Sequence, residues 1–163
     1  MIRAARGATG LWAAGDAPLP ETDLASFRRA GHAAARSAGS GAGLRVLDTG
    51  LAFFDAVDIA GTAVLAHRRL PVVAFSAAVL QPGSAVREFI ASPPWSGPFA
   101  DAGLRLPAPA EPDAPIDRVD LSAPARAELT AARYRGPQTL GEPMLNWWDR
   151  PSRRPAETPP PRP

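Results

Sequence analysis

The chain has 163 residues, 45% apolar and 21% charged, a balance that supports a single domain with a buried core and excludes a wholly disordered chain. It contains no cysteine and all 18 basic residues are arginine, which excludes thiolate nucleophiles, disulfides, cysteine zinc sites, a Walker A lysine and a pyridoxal Schiff base. The net charge is only +2 against 16 carboxylates, and the arginines are scattered rather than gathered into a stripe, which argues against nucleic-acid binding.

Residues 1–20 hold arginines and a short apolar run broken by glycine, a poor signal peptide that favours the cytoplasm. From Thr22, the residues Leu24, Phe27, Gly31, Ala34 and Ala38 recur at helical steps. Thr22 is the expected cap, and Gly39 stops the helix. Leu44 to Asp48 reads as a strand and Thr49-Gly50 as a turn. The apolar segment from Leu51 to Ala66 then reads as a helix, because Asp55 and Asp58 stand three apart and His67-Arg68-Arg69 supplies a cationic end. Pro71 to Leu80 is a continuous β-branched run, expected to be a strand buried on both faces.

After the turn Gln81-Pro82-Gly83, Ser84 is positioned to cap a helix carrying Val86, Phe89 and Ile90. The order is then β-α-β-α, with the two strands parallel. The rival is a hairpin pairing Thr62–Ala66 with Val72–Ser76, set aside because Leu51–Ala66 is long for a strand. No membrane-spanning helix is expected, since Leu70–Val86 is broken by proline and glycine.

Eight prolines between 93 and 124 leave mostly extended chain, with short strands expected at Leu104–Leu106 and Arg118–Leu121. A helix is expected from Ser122 to about Arg133, ended by Gly136, and Thr139-Leu140-Gly141-Glu142 has capping-box spacing. The expected fold is therefore α/β: one small domain over residues 22–150, whose short sheet contains a parallel βαβ unit flanked by helices. Residues 1–21 are a weakly structured lead-in and residues 151–163 a disordered, Pro-rich tail.

Two candidate sites follow. At the rim of a parallel sheet, Asp48 would act as a base, with Thr49, Gly50, Gly83 and Ser84 binding an anionic ligand at the helix N-terminus. Asp48-Thr49-Gly50 also resembles the short signature of aspartic proteases, an all-β family in which a small residue follows the glycine; here Leu51 follows, and capping is the plainer reading. His67 is expected at the far end of its helix, on the surface and too distant to pair with Asp48.

The second candidate is the aromatic segment Tyr134 to Asp149, in which Tyr134, Asn146, Trp147, Trp148 and Asp149 would contact a partner. Leu140, Met144, Trp147 and Trp148 are also spaced for a helix docked on the sheet, the weightier reading. The expected function is a non-catalytic binding or accessory protein using that segment, with a protein or small molecule as partner. The alternative is a small enzyme acting on an anionic molecule at the Asp48/Ser84 rim. No cofactor or metal site is implied, and a homo-oligomer is compatible with the high alanine content.

Overall fold

The computed structural model describes residues 1–148. Helix α1 spans Leu24–Ala38 and is capped one residue later than expected: Asp23, not Thr22, accepts the Ser26 N–H through Oδ1 at 2.9 Å. Its buried face is Phe27, Ala30, Gly31, Ala34 and Ala35, mostly small residues, so the helix lies close against a sheet. At Gly31 an added Cβ would sit 2.6 Å from the tip of Leu44.

That sheet is the main departure from the sequence expectation. Five strands, β1 (Leu44–Leu47), β2 (Phe54–Ile59), β3 (Thr62–His67), β4 (Val73–Ser76) and β5 (Phe89–Ile90), lie in sequential order and every neighbour is antiparallel. The parallel βαβ unit does not exist. Where a helix was expected from Leu51 to Ala66 there is a hairpin, with Ile59 opposite Thr62 and only Ala60-Gly61 between them. Both turn residues have positive φ, 53° and 79°, the pattern of a two-residue turn that matches strand twist.

The expectation failed for a physical reason. Strands β2 and β3 are covered on both faces, so they lack the alternation that marks a half-exposed strand. Asp55 and Asp58, three apart, would share a helix face; on a strand they point to opposite sides. Asp55 faces α1 and pairs with Arg28, whereas Asp58 pairs with Arg45 at 3.6 Å on the other face. The rival hairpin, Thr62–Ala66 against Val72–Ser76, is close to what the chain does: Ala63 lies opposite Ser76 and Ala66 opposite Val73.

The expected helix after Ser84 is also absent. Ser84 closes a turn by donating its N–H to the Gln81 carbonyl at 3.0 Å, and Phe89-Ile90 forms β5. Short helices follow: α2 (Gly97–Asp101), α3 (Arg126–Arg135), ended by Gly136 in the left-handed region, and α4 (Gly141–Met144).

Each face of the sheet has its own core. On one side, Val57, Ile59, Val64, Ala66, Val73 and Phe75 pack under α1 and α2. There Phe99 stacks on Phe27 with centroids 5.6 Å apart and meets Phe75 edge-on at 6.1 Å. Each fully buried phenylalanine contributes about 1.5–3 kcal/mol. On the other side, Ala56, Ala63, Leu65 and Ala74 are covered by the N-terminal segment and by residues 114–145.

The two long edges differ. The outer edge of β4 is shared between β5 and Arg105, which accepts the Val73 N–H through its carbonyl at 2.9 Å and donates its own N–H to Pro71 at 2.7 Å. Strand β1 ends the sheet on the opposite side, and no other backbone segment among the described residues pairs with its outer edge.

Candidate functional site

Strand β1 and the first half of α1 diverge beyond the Gly31–Leu44 contact. The opening is a groove of about 380 Å³, walled by Phe27 and Arg28 of α1 and by Val46 to Gly50, with Asp55, Val57 and Arg68 at its base. Asp55 is the anchor of its polar part. Its side chain is 15% exposed, and its carboxylate takes Arg68 Nε at 2.9 Å and an Arg28 guanidinium nitrogen at 3.3 Å. One anion thus holds two arginines whose remaining donors have no hydrogen-bond acceptor among the described residues. Apolar surface is exposed beside them, Val46 at 63% and Leu51 at 79%.

Three residues of the expected ligand rim lie along this groove. Asp48 is exposed, and its Oδ1 accepts the Gly50 N–H at 2.9 Å, so its carboxylate shapes its own turn. Thr49 is buried and its carbonyl accepts both the Ala52 N–H at 2.9 Å and the Trp147 indole N–H at 3.0 Å. Gly50 occupies φ 51°, a conformation that favours glycine.

The other half of the rim is elsewhere. Ser84 lines a separate concavity of about 240 Å³ formed by Ala78–Leu80, Val86 and Trp147. Gly83 sits next to it in the turn, at φ 81°. With no helix beginning at Ser84, the backbone cradle expected for an anion is missing, and the structure does not bring Asp48 and Ser84 into one site.

Trp147 and Asn146 of the aromatic segment pack inward. Trp147 meets Phe54 edge-on at 4.7 Å. Asn146 is buried: its amide donates to the carbonyls of Thr9, at 3.3 Å, and Pro143, its Oδ1 accepts the Trp148 N–H at 2.8 Å, and its own carbonyl accepts the Phe53 N–H. Trp148 is half-buried, and Tyr134, on α3, is 86% exposed with Arg135 5.9 Å from its ring. Asp149 lies outside the described residues.

Comparison with protein families, curated proteins and solved structures gives no match.

Two buried polar residues escaped the sequence reading. His67, expected on the surface, is completely buried at the end of β3. Its Nδ1 accepts the N–H groups of Arg69 and Leu70 at 2.9 and 3.0 Å, which fixes the proton on Nε2, and Nε2 donates to the Ala8 carbonyl at 2.9 Å. Burial lowers its pKa from 6.5 to about 4, the Ala8 bond and the charge of Glu128 working against that fall and Arg69 adding to it.

Glu128, also fully buried, accepts the N–H groups of Gly7, Thr9 and Ala125 at 2.8 to 3.1 Å and the Thr9 hydroxyl at 3.2 Å. It joins the N-terminal segment to the first turn of α3. Its position three residues after the N-cap was a weak sequence signal, half of a capping box whose first member, Ala125, is an alanine. Among the described residues, no helix is long and apolar enough to cross a membrane.

Proposed function

We propose that this protein is a non-catalytic binding protein that accepts an extended segment of a partner along β1, with side chains of that segment entering the groove beside α1. The observation that carries this reading is the pairing of an open strand edge with exposed apolar surface at Val46 and Leu51, next to a preformed concavity. A strand edge offers a row of unpaired N–H and C=O groups, and adding a strand satisfies them. The groove then takes alternate side chains, because those side chains point to one face.

This reading places the binding surface at β1 and not on the aromatic segment, where Trp147 packs on Phe54 and Asn146 is buried. The enzyme alternative places Asp48 and Ser84 on one rim of a parallel sheet, whereas the strands here are all antiparallel and the two residues line separate concavities.

The test is selection from a display library of random proline-free heptapeptides against the protein and against Val46→Pro. Peptides recovered on the parent are expected to lose binding on Val46→Pro, while far-UV circular dichroism stays unchanged. Retention of the same peptides by Val46→Pro refutes binding at β1.

A further inference from the structure

We infer that residues 1–22 form a strap which acid releases from the rest of the fold, with His67 as its catch. The strap is buried at Gly7-Ala8-Thr9-Gly10, a stretch whose largest side chain is threonine. Its other buried side chains are Ala4 and Leu19. Such small groups remove little apolar surface from water, so the strap is held chiefly by polar bonds. At its start, Ala4 donates its N–H to the Asp120 carbonyl at 3.0 Å, and Asp120 donates its own to the Ile2 carbonyl at 2.9 Å.

Three buried side chains from separate parts of the fold converge on residues 7–9. Glu128 accepts the Gly7 and Thr9 N–H groups at 3.0 and 3.1 Å and the Thr9 hydroxyl at 3.2 Å. Asn146 donates to the Thr9 carbonyl at 3.3 Å, and His67 donates from Nε2 to the Ala8 carbonyl at 2.9 Å. His67 also holds the far end of the strap. Its Nδ1 fixes the turn after β3 through the Arg69 and Leu70 N–H groups, and the Arg68 and Leu70 carbonyls of that turn accept the Thr22 N–H at 2.9 Å and the Thr22 hydroxyl at 2.8 Å.

An imidazolium carries N–H on both nitrogens, so protonated Nδ1 can no longer accept from Arg69 and Leu70. The turn then lets go of the ring, and the carbonyls that carry Thr22 move with it. The charged groups facing the ring are Glu128 from α3, which favours the protonated form, and Arg69 from the turn, which opposes it. Strand β2 presents Phe54 opposite His67 and the strap presents the Ala8 carbonyl, neither of which titrates. Burial outweighs Glu128 and holds the pKa near 4 with the strap in place, against an ordinary 6.5. Proton uptake therefore favours the open strap as pH falls from about 6.5 toward 4. Release uncovers Leu70 and the Phe53 ring, against which Gly7 and Gly10 lie.

The experiment is native-state hydrogen exchange of the full chain at pH 7 and pH 5, each amide's opening constant being corrected for its intrinsic exchange rate. At both pH values Ala4, Gly7 and Thr9 are expected to open more often than Val64 and Leu65 in the middle of β3. Between pH 7 and pH 5 their opening constants should rise about 20-fold. In His67→Gln the opening constants at the two pH values should differ less than about twofold.

Strap amides that open only as often as Val64 and Leu65 come free by unfolding of the whole chain, which overturns the strap. Strap opening that is equal at pH 7 and pH 5 overturns the acid release. A rise of about 20-fold that persists in His67→Gln assigns the catch to another group and overturns the role of His67. The parent chain decides the first two comparisons whether or not His67→Gln folds.

Discussion

Protonation of His67 should destabilise the fold, and the structure sets the size of the effect. The imidazole is enclosed, and its Nδ1 already accepts two backbone N–H groups. A proton added there would face two donors and break both bonds at a fully buried position. Burial is the main cause of its lowered pKa, about 4 against an ordinary 6.5. In the unfolded chain His67 takes a proton near pH 6.5, whereas the folded chain resists it until about pH 4. Stability is therefore complete above about pH 6.5 and falls as pH drops toward 4. At about 1.4 kcal/mol per tenfold change in proton affinity, the full loss is about 3 kcal/mol, and about 2 kcal/mol of it has gone by pH 5.

Urea unfolding at pH 7 and pH 5 measures this loss. Long-range ¹H–¹⁵N spectra of the imidazole should show the Nε2–H tautomer at pH 7 and no titration above about pH 5. A His67 midpoint near 6.5, or equal urea midpoints at the two pH values, refutes the reasoning.

Further substitutions probe the N-terminal segment. Glu128→Gln replaces one acceptor with an NH₂ group facing a ring of donors, Gly7, Thr9 and Ala125; it should cost about 2 kcal/mol in urea unfolding. Gly10→Ala should cost roughly 2 kcal/mol or more, because Gly10 has φ 72° and an added Cβ would lie 2.3 Å from the Phe53 ring; an unchanged thermal midpoint would contradict that packing.

The elements legible in the sequence were those with local signals. Helix α1 announced itself through its apolar spacing, the acid at its start and Gly39 at its end, and the turn before Ser84 through Pro82-Gly83. Strand β1 was also read correctly, because Leu44 to Leu47 is short and bounded by turn residues. Its neighbours were not, since a strand buried on both faces resembles a buried helix, and Ala60 replaces the asparagine or aspartate that would have flagged the hairpin.

That one missed turn displaced everything around it. It put His67 on a helix end instead of inside the second core, and it created a ligand rim that the antiparallel order does not contain. The Asp48–Gly50 loop is a sequence candidate whose setting is illegible there: Arg28 of α1, Asp55 of β2 and Arg68 just after β3 converge beside it. No local pattern encodes that convergence.

Amide hydrogen exchange along β1 tests the central claim most directly. In the free protein, the amides of Leu44–Leu47 should be less protected than those of Thr62–His67, which are paired on both sides. On saturation with a heptapeptide selected on the parent protein, alternate amides of β1 should gain protection, the signature of a ladder formed on one edge. Unaltered exchange at β1, with protection appearing only on α1 or elsewhere, would contradict strand addition.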